Sequence, residues 1–334
     1  MKHVLLGVIA DDFTGATDVA GMLVQAGMNT LLTIGVPDTG ATLDADAVVV
    51  ALKSRTTPPA DAVRESLAAL ERLRAAGCKR FYFKVCSTFD STPEGNIGPV
   101  AEALMTALDA DFAIACPAFP ENGRSVYRGH LFVGDQLLSD TGMRDHPLTP
   151  MTDANLVRWL QAQTALKVGL LRQDVVAAGV EAVALRIAAL RGEGVRIAIA
   201  DAIDNADLRT LASACADLPL LIAGSGVALG LPAAYAARGR VQPDAKAALL
   251  PAVGGHAAVL SGSCSTATNA QVAHWLQSGR PALRIDALQL AAGAPLAAQA
   301  LAWAEPLLPT QPVLVYATAS ASDSTSTTAF GVIR

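Results

Sequence analysis

The sequence predicts an α/β protein of two domains, each a mainly parallel sheet covered by helices, and three observations predict it. Apolar runs of strand length alternate with helix-period segments along almost the whole chain. The residues just after many of those runs are polar or glycine-rich, as expected where one sheet edge faces a ligand. One stretch without periodicity, Gly239 to Gly255, divides the chain into a domain over 1–240 and a second over 256–334. At 334 residues, 52% hydrophobic and 16% charged, the chain can fill two cores, and its composition argues against disorder.

The first run, Val4–Ile9, is apolar throughout and reads as a strand buried on both faces. Asp11 and Asp12 follow it, and then a helix in which Ala16, Val19, Ala20, Leu23 and Val24 keep helical spacing. Thr14 is the expected cap of that helix and Gly27 its end. Further strands are expected at Thr30–Ile34, Ala47–Leu52, Phe81–Val85, Phe112–Ala115, Val195–Ala200 and Leu220–Ala223. Beyond the break they are expected at Ala257–Leu260, Ala282–Ile285 and Val313–Tyr316. Helices are expected at Pro59–Ala76, Ile97–Leu108 and Thr266–Gln277. The Pro-, Gly-, Asn- and Asp-rich stretch Pro117–Pro150 breaks the rhythm and reads as a long ordered excursion near the site. Leu218–Ala237 is apolar enough to raise a membrane span, but Gly224, Gly226, Gly230 and Pro232 fit a strand, a turn and a short helix.

Net charge is −5 without a block of Lys or Arg, so neither a nucleic acid nor a membrane is an expected partner. Five scattered cysteines without a CxxC pair read as reduced thiols. The N-terminus enters a strand directly, without a signal peptide, and a cytoplasmic location is expected.

The strand tips carry the chemistry. Asp11 and Asp12 are suited to acid/base or metal work, since neighbouring carboxylates shift each other's proton affinity. The competing reading is one helix cap and one solvated carboxylate. Lys53, Arg55 and Lys84 add positive charge at neighbouring tips, which together point to a small, anionic, hydroxylated molecule; Arg grips a carboxylate through two parallel hydrogen bonds. Ser87, Thr88 and Asp90 supply hydroxyls and a carboxylate, or simply a turn. Ser261-Gly262-Ser263 before a helix, and Gly224-Ser225-Gly226, allow backbone amides to approach a phosphate, although a plain strand–helix turn reads equally well. There is no GxxxxGK[ST] and no GxGxxG after the first strand, which excludes a Walker loop and weakens a dinucleotide reading. The haloacid-dehalogenase phosphatases place DxDx[TV] after the first strand; here the residue two after Asp11 is Phe13 and two after Asp12 is Thr14, so the second Asp is missing and that pattern fails. The histidines show no metal-ligand spacing, and the metal ligands stay unassigned.

Taken together, GVIADDFTGATD (7–18), LKSR (52–55), FYFKVCSTFDSTPEGNIGP (81–99), NGRSVYRGHLFV (122–133), LLSDTGMRDHPLTPMTDAN (138–155), DAIDN (201–205), Gly224–Gly226 and LSGSCS (260–265) resemble the four-carbon acid sugar kinase family, and within it the 3-oxo-tetronate kinases. The resemblance implies a sugar-acid-binding first domain and a nucleotide-binding second domain. It also implies ATP with Mg²⁺, a small-molecule sugar acid, and phosphoryl transfer to the terminal (4-) hydroxyl, an alcohol acceptor. By that resemblance Asp11 or Asp12, Arg55 and the stretch Lys84–Thr88 with Ser87 contact substrate, and Ser261 with its neighbours Gly262 and Ser263 contacts nucleotide; from their place at the strand tips, Asp90 joins the substrate candidates and Gly224 and Ser225 the nucleotide candidates. Asp12 is taken from its position as the general base.

Members of that family continue further, to a Gly-Gly-Glu-Thr-type loop that this sequence lacks. After Thr318 it turns low-complexity, without the pattern of a helix. An incomplete second domain is therefore expected, with edges for a second copy to cover in a homodimer. The alternative reading is a truncated remnant that binds the acid without turning it over.

Overall fold

Leu6–Ala10 (β1) is buried along its whole length in the computed structural model, which describes residues 4–250 and 252–318. β1 pairs in parallel with Ala47–Ala51 (β3) on one side and Arg80–Lys84 (β4) on the other, after Thr30–Ile34 (β2) has paired outside β3. The chain then adds Ala113–Cys116 (β5), Val168–Leu171 (β9), Ile197–Ala200 (β10) and Leu220–Ala223 (β11). The resulting eight-stranded sheet has the order β2-β3-β1-β4-β11-β5-β10-β9. Every pairing in it is parallel, so all strand tips that follow a carboxyl end share one edge. Strand order reverses around β1, which is where ligands bind in open sheets of this kind.

Between β5 and β9 the Pro- and Gly-rich excursion folds as an antiparallel sheet of Arg124–Tyr127 (β6), His130–Val133 (β7) and Gln136–Leu137 (β8). β9 escapes the sequence pattern because only Val168-Gly169-Leu170-Leu171 separates Lys167 from Arg172, too short a run to stand out. Leu218–Ala237 resolves into β11, a 3₁₀ turn over Ser225–Gly230 and the helix Leu231–Ala236. No described helix is long and apolar enough to cross a membrane.

Helices Phe13–Gln25 (α1), Pro59–Ala75 (α2) and Ile97–Ala107 (α3) cover the sheet near β1. Gly7 lets α2 settle closely, since a Cβ there would stand 3.0 Å from Leu73 Cδ1. The cap of α1 differs from the expectation. Asp12, not Thr14, is the N-cap: its Oδ1 accepts from Gly15 N at 2.8 Å, and Thr14 is exposed within the helix. Asp12, in extended backbone two residues before Thr14, sits just outside the helix, where its carboxylate reaches the third helical amide; Thr14 is already inside the first turn.

The chain divides into two compact units, the first ending at Leu249 and the second starting at Leu250. The second unit holds a parallel sheet in the order β12-β14-β13, built from Ala258–Ser261 (β12), Ala282–Arg284 (β13) and Val313–Tyr316 (β14). The low-complexity segment after Thr318 lies outside the described residues.

Candidate active site

Parallel register sets the site. Ala10 lies opposite Ala51 and Lys84, so the residues just beyond β1, β3 and β4 stand side by side. The backbone of Asp11 then ties the tips together. Its N–H donates to Lys84 O at 3.1 Å, and its carbonyl accepts from Ser54 N at 2.9 Å and Arg55 N at 3.1 Å. The buried Asn96, just before α3, fixes the Arg55 loop from the other side, its Nδ2 donating to Ser54 O at 2.7 Å and Thr57 O at 3.0 Å.

Arg55 grips Asp11 with two prongs, Nε to Oδ2 at 3.0 Å and Nη2 to Oδ1 at 2.9 Å, and Nη2 also donates to Asp12 Oδ1 at 2.6 Å. Its Nη1 stands 3.9 Å from Asp90 Oδ2. Burial would lower the proton affinity of Arg55, but the Asp11 hydrogen bond and charge reverse this and hold it firmly cationic. Burial pushes the Asp11 carboxyl above the usual carboxylate range, against the pull of Arg55 and Lys84; the Asp12 charge is the smallest contributor. Of the two readings of the acidic pair, half of the simple one holds. Asp12 caps the helix, but Asp11 is a buried ion-pair partner rather than a solvated group.

The consequence is an asymmetry between four carboxylate oxygens. Both oxygens of Asp11 and Oδ1 of Asp12 are occupied, while Oδ2 of Asp12 receives no hydrogen bond from the described residues. The Lys84 ammonium is buried on the Oδ1 side of Asp12 and donates to Val85 O at 2.8 Å. Gly15 makes this proximity possible: a Cβ there would stand 2.5 Å from Asp12 Oδ1 and 2.7 Å from Lys84 Nζ. Lys53, by contrast, is exposed.

The loop after β4 is held in a costly conformation. Phe89 is buried with φ 55°, a region a bulky residue rarely adopts. Ser91 secures it, its Oγ donating to Phe89 O and accepting from Trp159 Nε1 and Gln163 Nε2, each at 3.0 Å. The loop thereby aligns Cys86, Thr88 and Asp90, with Thr88 Oγ1 2.9 Å from Cys86 Sγ and donating to Asp90 Oδ1 at 2.5 Å. Burial raises the Cys86 thiol above its usual range. Ser87 is half-buried beside them. Trp159 and Gln163, which hold this loop from about 70 residues away, carry no sequence signal of that role.

Gly224 and Ser225 belong to the first unit and are buried at the tip of β11. Packing accounts for Gly224 and Gly226, because a Cβ would stand 2.7 Å from Pro117 O at the first and 2.4 Å from Ala118 O at the second. Ser261, Gly262 and Ser263 belong to the second unit and open a groove of about 500 Å³. Val259, Leu260, Val272, Trp275 and Leu314 supply its apolar lining, beside the helix Thr266–Gln277, which Ser265 caps. Polar loop, helix start and apolar wall suit a ligand with an anionic end and a flat apolar end. Among the described residues no group of three or more His, Cys, Asp or Glu is placed to hold a metal.

A family described as "Sugar-binding N-terminal domain" matches residues 6–231, and one described as "Nucleotide-binding C-terminal domain" matches 258–332. A 3-oxo-tetronate kinase of Cupriavidus necator is 63% identical over 95% of this chain and 73% of its own length. A Haemophilus influenzae protein of the DUF1537 family superimposes with a TM-score of 0.78 at 42% identity, over 96% of this chain and 76% of that one. A Bordetella bronchiseptica DUF1537 domain, a domain-swapped dimer with bound citrate, superimposes with a TM-score of 0.59 at 28% identity, over 95% and 75%. The second match reaches into the segment beyond Thr318. The chain therefore belongs to the four-carbon acid sugar kinase family, among relatives named 3-oxo-tetronate kinase.

Proposed function

We propose that this chain catalyses ATP-dependent phosphorylation of the terminal (4-) hydroxyl of 3-oxo-tetronate, giving the 4-phosphate. The observation that carries the reading is Asp12 Oδ2, a carboxylate oxygen that receives no hydrogen bond from the described residues, in one cluster with Arg55 and the buried Lys84, in a chain 63% identical to a 3-oxo-tetronate kinase. The first domain binds the acid and the second the nucleotide.

Phosphoryl transfer needs positioning and charge neutralisation more than covalent chemistry from the protein. Asp12 Oδ2 accepts the proton of the attacking hydroxyl as its oxygen bonds to the γ-phosphorus and the bond to ADP breaks. Lys84 and the remaining Nη1 of Arg55 attract the substrate's carboxylate, and Ser87 and Thr88 meet its hydroxyls. Asp11 contributes by holding Arg55. Ser261, Gly262 and Ser263, with Gly224 and Ser225 as further candidates, receive the nucleotide. Mg²⁺ takes one or two carboxylates together with the phosphates of its nucleotide rather than a dedicated cage, and Asp90, whose Oδ2 receives no hydrogen bond from the described residues, would be the carboxylate to hold it. When bound, it neutralises charge on the transferred group. A homodimer is supported by the domain-swapped Bordetella relative, and a cytoplasmic setting by five unpaired cysteines.

The test offers ATP, Mg²⁺ and a panel of tetronates, 3-oxo-tetronates and threonates, and follows ADP. Release specific to 3-oxo-tetronate and abolished by Asp12→Asn supports the reading, and acid binding without ADP supports the binding-only remnant instead. The relatives named 3-oxo-tetronate kinase favour turnover over that remnant.

A further inference from the structure

Two loops of the first unit form the rim of the candidate site, one carrying Arg55 after β3 and one carrying Thr88 and Asp90 after β4. Where they face each other, Arg55 Nη1 stands 3.9 Å from Asp90 Oδ2. That is beyond hydrogen-bond range, so the pair alone does not fix the spacing of the loops. A third segment bridges them. Gln163 lies just beyond the helix Leu156–Gln161 and is buried. Its Nε2 donates to Ser91 Oγ at 3.0 Å, and its Oε1 accepts from Gly98 N at 3.2 Å.

Each end of that amide leads to one loop. Ser91 Oγ also donates to Phe89 O, and so holds the left-handed residue that separates Thr88 from Asp90. Such backbone at a bulky residue persists only where its surroundings over-determine it. At the other end, Gly98 lies in the first turn of α3, where an amide has no partner within the helix. Asn96, two residues earlier, donates through Nδ2 to Ser54 O at 2.7 Å, Arg55 O at 3.3 Å and Thr57 O at 3.0 Å. The path from Asp90 to Arg55 therefore runs through Ser91, Gln163, Gly98 and Asn96.

The backbone that carries Gln163 is tied down independently of its side chain. Thr164 Oγ1 donates to Glu102 Oε2 on α3 at 2.9 Å, and Gln161 Nε2 donates to Thr164 O at 3.1 Å and Leu166 O at 3.0 Å. A Cβ at Gly98 would stand 2.6 Å from Gln163 Cβ, so helix and segment are in close contact. An apolar side chain of the same length would serve packing. An amide that donates to one loop and accepts from the base of the other also fixes a distance. We propose that Gln163 is a positioning residue, whose amide sets the spacing between the Arg55 loop and the Thr88–Asp90 loop and thereby the placement of the sugar acid. It acts through Ser91 and Asn96 and touches no substrate. The proposal rests on the reading of this site as the acid site of a kinase.

Three variants test it. Gln163→Met keeps the length of the side chain and removes both hydrogen bonds. Ser91→Ala breaks the same path at its other end. Trp159→Phe takes from Ser91 Oγ a donor that does not lead to α3. In Gln163→Met and Ser91→Ala, kcat/KM for the acid should fall about 10-fold or more, because small misplacements of reacting groups are costly in rate. KM for ATP should change less than about 3-fold, and Trp159→Phe should lose clearly less than the other two. The double variant Ser91→Ala/Gln163→Met should be no worse than its poorer single, as for two members of one path. A lowered urea midpoint with kcat/KM within about 3-fold of the parent's overturns the proposal, because Gln163 would then serve stability alone. Additive losses in the double variant, or a Trp159→Phe loss as large as that of Gln163→Met, overturn it as well. Should Gln163→Met fail to fold, the contrast between Ser91→Ala and Trp159→Phe decides. A parent that turns over while Gln163→Met and Ser91→Ala match it defeats only this proposal. A parent that binds the acid without releasing ADP defeats the kinase reading, and the calorimetric Kd for the acid then carries the same comparison. A parent that does not bind the acid defeats both.

Discussion

Arg55 and Asp11 form a two-pronged ion pair across 44 residues of sequence, at 3.0 and 2.9 Å. The pair joins the tips of β1 and β3, and it changes what Arg55 has left to offer. A fork expected to grip a ligand carboxylate is filled by the protein's own. Asp11 is almost fully buried, whereas the Arg55 side chain is 21% exposed. Breaking the pair from either side should therefore cost different amounts. Arg55→Ala strands a buried carboxylate and is expected to cost about 3 kcal/mol near neutral pH. Asp11→Ala leaves a guanidinium that water can reach, and should cost less. The deficit of Arg55→Ala should shrink as pH falls, because burial raises the Asp11 carboxyl above 3.8. A group raised in the folded state contributes stability at low pH and loses it as pH rises through the folded value. Urea midpoints between about pH 4.5 and 8 check both statements; an Asp11→Ala deficit exceeding that of Arg55→Ala would refute the first.

Lys84→Met keeps an unbranched side chain, one heavy atom shorter, and removes a buried ammonium. Stability should hold or rise, since burying an ammonium carries a desolvation cost that the thioether avoids. KM for the sugar acid should rise about 10-fold or more, as expected on losing a charge-assisted contact. Steady-state kinetics on the acid, with a denaturation curve for the variant, provide the check.

At Gly15, helix propensity and geometry pull in opposite directions. Alanine is the better helix former by about 1 kcal/mol. Its Cβ would nevertheless stand 2.5 Å from Asp12 Oδ1 and 2.7 Å from Lys84 Nζ. Gly15→Ala should therefore lower kcat by at least about 10-fold while leaving the thermal midpoint within a few degrees of the parent's. Full activity in this variant would show that Asp12 and Lys84 need not share that space.

Cys78, Cys116 and Cys215 have their thiols pushed up by burial to about 12 from 9.0. Between those values the native state keeps protons that the unfolded chain has lost. Stability is thus fully present below pH 9 and declines as pH rises toward 12, by up to about 1.4 kcal/mol per pH unit for each thiol. Denaturant midpoints at pH 8 and 10 test this, and Cys215→Ala should flatten the slope.

Much of the fold was legible because burial writes itself as period. Apolar runs such as Ala47–Leu52 and Leu220–Ala223 match observed strands to within a residue, as strands buried on both faces must. The antiparallel sheet in the excursion and the short strand β9 carry no such run, being small and partly exposed. The site divides in the same way. Sequence placed Asp11, Asp12, Arg55 and Lys84 at strand tips, but nothing in it distinguishes an arginine awaiting a ligand from one already paired.

By itself, then, the sequence determined the alternation of strands and helices, the two-part organisation and the residues gathered at the tips. Those depend on local period and on which residue types end each run. Tertiary structure alone decided the strand order, the capture of Arg55 by Asp11, the free oxygen of Asp12 and the bridge of Gln163 between Ser91 and Gly98. Each depends on register between strands tens of residues apart, and pairwise geometry of that kind leaves no trace in a local pattern.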